Sequence, residues 1–314
     1  MKYDIITFGS AVIDTFIDTN PEERKGNMLY PVGAKILVKE FRFQTGGGGT
    51  NTAVGFSRLG LKTGCIGKVG KDCDAGLILD ELKREKVDFL GKVGSEITGY
   101  SVILDSKEHD RTVLTYKGEN DKVDFEDIRS LNAKWIHFSA AIGKSFDTQE
   151  KAAKYCKKKG IMISLNPSLY QIKDLKSRMR RLMKDIDILI LNKEEAEALA
   201  GKGDLFLRLK KLGAGIVCIT DGKNGAKVYD GIYLYNIGTK KVKVIETTGA
   251  GDAFSCGFIT GMIKKGDIEF AMQLGIANSE SVIKEKGAKN KLLNWNEAIR
   301  YINKNQLKVE RKLI

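Results

Sequence analysis

Short apolar runs alternate with amphipathic helical stretches along most of this chain, and that alternation restricts the fold more than any other feature. "YDIITFG", "KTGCIGKVG", "KWIHFSA", "IMISLNPS", "IDILILN" and "GAGIVCIT" read as strands. Between them, "TNTAVGFSRLG", "AGLILDELKREK", "TQEKAAKYCKKKG", the basic stretch around Arg178 and "KEEAEALAG" carry apolar residues at helical spacing. Strands that are apolar throughout need cover on both faces. The pattern therefore predicts an α/β fold, with a mostly parallel sheet and helices on either side. At 314 residues there is room for one such domain and an additional lobe.

Three stretches break the rhythm. "IDTFIDTN", "AKILVKEFRFQ" and "TGYSVILD…RTVLTY" alternate apolar and polar residues with no helix between them. They predict a small antiparallel sheet with one exposed face. Coming from two separate regions, they form a discontinuous lobe, 12–45 and 96–120, beside a core of 1–11, 46–95 and 121–314. Such a lobe at the C-terminal edge of a parallel sheet is expected to act as a lid over a ligand. Its exposed strand edges invite a second copy, so a homodimer through the lid is expected.

The chain carries 53 Lys and Arg against 40 Asp and Glu, a formal charge of +13. A nucleic-acid binder concentrates such charge, whereas here the lysines are dispersed. The densest run, "KYCKKKG", closes a helix where cations favour the dipole. A basic surface suited to anionic metabolites is expected, with no specific nucleic-acid partner. No apolar run is long enough to span a bilayer, and "MKYDIITFGSAVID" lacks the pattern of a signal peptide. The five cysteines, Cys65, Cys73, Cys156, Cys218 and Cys256, show no C-x-x-C spacing. Neither a disulfide framework nor a zinc site is expected, and the reading is of a cytoplasmic protein with reduced thiols. Only His109 and His137 are available, which argues against histidine-based catalysis and His-rich metal sites.

"TTGAGDAF" (247–254) places two glycines before a helix and a carboxylate in its first turn. Glycines there let the first amides converge on one point, which the helix dipole makes electropositive. Asp252 beside such an anion hole suits phosphoryl transfer to an alcohol, which needs a base for the hydroxyl and a cradle for the charge. Read alone, the octapeptide equally suits a glycine turn with an ordinary first-turn aspartate. "TGGGGTNTAVG" (45–55) is a second glycine-rich turn entering a helix, and Asn51 offers both a donor and an acceptor to a ligand. Neither turn fits G-x-G-x-x-G, because Asn51 or Thr52 and Phe254 stand at the third glycine. The "GKS" at 143–145 is not a P-loop, since Phe138 occupies its first glycine position.

Together, "GGGGTNTA" and "TTGAGDAF" resemble the two signature motifs of the ribokinase, or PfkB, carbohydrate kinase family, and the likeness extends over nearly the whole chain. It implies a ribokinase-like fold, a Rossmann-like parallel sheet with a β lid, and an ATP-dependent kinase acting on a small sugar. By that resemblance Asp252 is the catalytic base, and the amides of Gly249, Ala250 and Gly251 form the anion hole. Asp14, Gly46, Gly47 and Asn51 line the acceptor pocket. "LNKEEAEAL" is similar to the family's N-x-x-E motif, which puts Asn192 near the phosphates and Glu195 on Mg²⁺ through water. "ITDGKNGAKVY" resembles its nucleotide loop through Thr220, Gly222 and Gly225. Glu246 stands where the family usually has Asp, and with Thr248 marks a possible potassium site.

The acceptor is less constrained. A fructose- or ribose-like sugar leads, although Ala140 and Ala141 stand where ribokinase-like members often carry an acid. A nucleoside could use the aromatic faces of Phe16, Phe41 and Phe43; a sugar acid or sugar phosphate could use Lys39, Arg42 or Arg111. Ile276 stands where relatives often place a polar residue near adenine, and Asn278, two positions on, should face elsewhere. A non-catalytic nucleotide-binding protein is the alternative of another class, and retention of a base argues against it.

Overall fold

The computed structural model describes residues 2–105, 111–128 and 131–314; His109 lies outside them, as does the side chain of Arg111. Among the described residues ten strands form the main sheet, in the order Val309–Leu313, Tyr233–Ile237, Ala226–Tyr229, Ile216–Thr220, Ile188–Asn192, Met162–Asn166, Ala133–Ser139, Tyr3–Phe8, Thr63–Ile66 and Asp88–Phe89. Pairing is parallel from Ile216–Thr220 through Asp88–Phe89 and antiparallel among the last four strands at the other edge.

Along the central strands alternate residues feed two different cores, as the period of two requires. Ile6, Phe8, Ile136, Phe138, Leu189 and Leu191 pack under the helices Gly143–Lys159, Leu169–Leu182 and Lys193–Ala200. Their neighbours Ile5, Trp135, Ile188 and Ile190 pack against Gly48–Arg58, Ala250–Lys265 and Ile268–Val282 on the opposite face. Each such fully buried side chain contributes roughly 1.5–3 kcal/mol.

The helix Ala250–Lys265 is buried from Ala253 to Gly261, which explains its near-uniform apolarity beyond Asp252. It meets Gly48–Arg58 where Gly55 passes Cys256; a Cβ built at Gly55 would lie 3.0 Å from the Cys256 Cβ. The two glycine-rich turns at the starts of these helices are thereby brought together.

The four-stranded second sheet departs from expectation. Its order is Arg111–Tyr116, Gly99–Asp105, Val12–Asp18, Glu40–Gly46, and the central pair runs parallel. The prediction of a wholly antiparallel sheet is corrected. Val12 and Gly99 both leave the main domain outward, so their strands run side by side, and the return strands pair antiparallel at either edge. Alternation of apolar residues cannot separate these cases. Residues 34–38 of "AKILVKEFRFQ" are not strand, and a short hairpin, Glu22–Arg24 with Asn27–Leu29, precedes them.

Register assigns the faces. Asp14, Phe16, Arg42 and Gln44 share one side; Thr15, Ile17, Phe41 and Phe43 share the other. The first side abuts the main domain, since a Cβ at Gly287 would meet the Gln44 amide and Arg42 reaches Glu246. The three phenylalanines therefore do not form one aromatic surface. Phe41 and Phe43 are exposed on the far side, and Phe16 is buried beneath the Arg42 guanidinium.

Candidate active site

Gly249 precedes the helix Ala250–Lys265 with φ 78°. A side chain there is strained by conformation and blocked by packing, its Cβ falling 2.6 Å from that of Ala288. No side chain caps the turn; the Ala250 amide donates to Thr247 O at 3.2 Å. Gly47, with φ 96°, caps Gly48–Arg58 in the same uncapped way and lies against the Ser10 backbone.

Asn51 Nδ2 donates to Asp252 Oδ2 at 2.9 Å. The Asp14 carboxylate lies against Gly46, where a Cβ would overlap it. Asp14, Gly46, Asn51 and Asp252 thus surround one point between the second sheet and the helix starts. Burial pushes the Asp252 carboxyl up to about 6; the Asn51 hydrogen bond lowers it, Asp14 raises it, and Lys289 lowers it. Desolvation outweighs the Asn51 hydrogen bond here, which leaves a weaker acid than an ordinary aspartate.

On its other side Asp252 borders a cleft of about 260 Å³ that also receives Asn192, Glu195, Thr220, Gly249 and Gly251. Asn192 and Glu195 form a reciprocal cap: Glu195 N–H donates to Asn192 Oδ1 at 2.8 Å and Asn192 N–H to Glu195 Oε2 at 2.9 Å. Burial raises the Glu195 carboxyl to about 7; the Asn192 amide opposes this, and the charges of Glu194 and Asp252 add to it. Thr220 and Gly251 also line a larger cavity of about 950 Å³, with Gly222, Gly225, Ala250 and the apolar walls Val242, Phe254, Ile276 and Ile283. Asn278 does face elsewhere, donating to Ala253 O at 2.8 Å and accepting from Leu293 N–H at 3.0 Å.

Glu246 is paired with Arg42 at 2.9 Å and accepts the Gly287 N–H at 3.1 Å. No cluster of three or more His, Cys, Asp or Glu side chains suited to a metal occurs among the described residues. A divalent cation would find Glu195 and few other protein oxygens, a donor set that fits an ion keeping its waters and bridging phosphates. Gly143 and Ser145 of "GKS" belong to a helix start, and Ser145 Oγ is spent on Asn120 O and Val123 N–H.

Sequence reasoning missed two contributors. Asn166 lines the cleft from the end of Met162–Asn166, and its position at the C-terminal end of a parallel strand was the available signal. Lys289, only 6 % exposed, binds Glu81 at 2.5 Å and Thr45 at 2.7 Å beneath Asp14 and Asp252, and no local pattern marks it.

Residues 3–295 match the profile of the pfkB family carbohydrate kinases. The chain belongs to the PfkB family. It is accordingly a phosphotransferase, with hydroxyl groups as acceptors. An ATP-dependent 6-phosphofructokinase of Thermoanaerobacterium thermosaccharolyticum is 27% identical over 301 residues, covering 91% of this chain and 90% of that protein. A ribokinase of Haemophilus influenzae is 28% identical over 290 residues, with 86% and 91% covered. A nucleoside kinase structure from Methanocaldococcus jannaschii superposes with a TM-score of 0.82 at 22% identity, covering 96% of this chain and 99% of that one, and so shares the fold. No helix among the described residues of this PfkB kinase is long and apolar enough to cross a membrane.

Proposed function

We propose that this kinase transfers the γ-phosphoryl group of ATP to a hydroxyl of a small, uncharged sugar, with Asp252 as the base. The observation that carries the reading is the position of Asp252, which faces the acceptor-side groups Asn51 and Asp14 and also the cleft lined by Asn192, Glu195 and Gly251. A base there takes the hydroxyl proton while the amides of Gly249 and Gly251, joined by Ala250 N–H when it leaves Thr247 O, stabilise charge developing on the phosphoryl group. The larger cavity suits the nucleoside end of ATP, with Thr220, Gly222 and Gly225 at its rim and Ile276 in its apolar wall. Mg²⁺, held by Glu195 through water, would neutralise phosphate charge. Closure of the second sheet over a bound acceptor would exclude water from Asp252 and so suppress hydrolysis.

Among the described side chains, the cations close to the inner face of that sheet are paired, Arg42 with Glu246, Lys286 with Glu40 and Lys289 with Glu81, which favours an uncharged acceptor. A nucleoside is disfavoured, since Phe41 and Phe43 lie on the wrong side of the sheet to cover a base. A sugar phosphate is the second reading, supported by the phosphofructokinase relative. The exposed outer face with Phe41, Phe43, Leu114 and Tyr116 offers a second copy a surface, and light scattering reads that outcome.

ADP release with Mg-ATP against free sugars, nucleosides, sugar acids and sugar phosphates tests the reading. Acceptor-dependent turnover with a free sugar, lost in Asp252→Asn, is the expected result. A sugar phosphate outrunning every free sugar would move the assignment to the second reading.

A further inference from the structure

We propose that Arg42, carried on the second sheet, is a positioning residue for the turn 247–252, its guanidinium setting that turn through Glu246 in place of a monovalent cation. The inference rests on the reading of this turn as the phosphoryl-transfer site. Glu246 immediately precedes the turn. Its Oε2 receives Arg42 Nη2 at 2.9 Å and the Gly287 N–H at 3.1 Å. Both groups present hydrogens to one oxygen, and hydrogens repel a metal ion. That oxygen does not fit potassium, and in this proposal Arg42 supplies at Glu246 the positive charge that a cation would otherwise bring.

The guanidinium is itself held in place. It stacks 3.6 Å over the buried Phe16 ring, and its Nε lies 3.6 Å from Glu40 Oε1. Glu40 is bound in turn by Lys286 Nζ at 2.6 and 2.7 Å. One strand, Glu40–Gly46, therefore presents a fixed cation to Glu246 and an anion to the 286–288 loop.

Both partners bear on the turn. Ile245 N–H and Glu246 N–H donate to Ile283 O at 2.8 and 3.3 Å. Ala288, next to Gly287, is the residue against which Gly249 packs without room for a Cβ. The Glu246 carboxylate ties the sheet, the 283–288 loop and the anion-binding turn to one point. Its side chain is only 13% exposed, so removing the counter-charge leaves a desolvated anion that must move toward water and take the turn with it.

The test compares wild type, Arg42→Ala, Arg42→Lys and Arg42→Ala/Glu246→Gln in KCl, NaCl and choline chloride at equal ionic strength. Wild-type turnover and melting temperature should be the same in the three salts. Arg42→Ala should lose roughly ten- to hundredfold in kcat, the worth of a charged hydrogen bond, with ATP affinity nearly unchanged. Millimolar guanidinium chloride or KCl, and not choline, should restore part of that rate and raise the melting temperature of Arg42→Ala. The Lys variant should retain more activity than the Ala variant, and the double variant should be less impaired than Arg42→Ala alone. Several-fold potassium stimulation of the wild type, wild-type kcat in Arg42→Ala, or a Lys variant as impaired as the Ala variant would each overturn the proposal. The melting measurements need no acceptor, so they still decide the cation question if the kinase reading fails.

Discussion

Asn51 and Asp252, 201 residues apart in sequence, share a hydrogen bond of 2.9 Å that joins the two glycine-rich turns at a single carboxylate. The bond stabilises the ionised form of Asp252 against the burial that raises its pKa to about 6. A base must be ionised to accept a proton, so kcat/KM should fall as pH drops through about 6. Asn51→Ala removes the donor and should move that acidic limb upward by roughly one unit. A pH–rate profile whose limb stays in place would separate this contact from the titration.

Asp252→Asn keeps the size of the side chain and removes its basicity. Turnover should fall by roughly 10²–10⁴, the usual contribution of general-base catalysis. ATP affinity, measured by calorimetry, should change little, because the amides around the turn are untouched.

Gly46→Ala places a methyl group where the Asp14 carboxylate now sits. The carboxylate must swing away from the acceptor side. The KM for the acceptor should rise by roughly tenfold or more, the loss of about one charged hydrogen bond. ATP affinity should stay within error, since the nucleotide-side cleft lies beyond Asp252.

Stability should carry the cost of the site. From ordinary values of 3.8 and 4.5, the carboxyls of Asp252 and Glu195 rise to about 6 and about 7 on folding. The native state therefore binds protons more tightly than the unfolded chain, and the stability this gives at low pH is lost as pH climbs through those folded values. Asp252→Asn with Glu195→Gln should stabilise the protein at pH 8 by several kcal/mol. The gain should shrink toward pH 4, as read by chemical denaturation at the two pH values.

Much of the main domain was legible because strands buried on both faces must be apolar throughout, and "IDILILN" or "GAGIVCIT" can be little else. The turn at Gly249 was legible because a left-handed residue pressed against Ala288 has no substitute for glycine. The parallel pairing of Val12–Asp18 with Gly99–Asp105 was not, since side-chain alternation is the same in either direction. Lys289 was also invisible: what makes a buried lysine tolerable is Glu81, 208 residues away. Arg42 was noticed only as a lid cation, because its partner Glu246 lies 204 residues further on.

The register of the second sheet places Asp14, Arg42 and Gln44 on one removable layer, while Asp252, Asn192 and Glu195 belong to the layer beneath. On the proposed reading, acceptor recognition by the sheet and phosphoryl transfer below it are thereby housed largely in separate parts, with Asn51 between them. A strand set grafted from a relative would retune what this enzyme accepts and leave its phosphoryl machinery alone, on one condition. The graft must bring a cation to the place of Arg42, since the machinery below is fastened to the layer above by that contact.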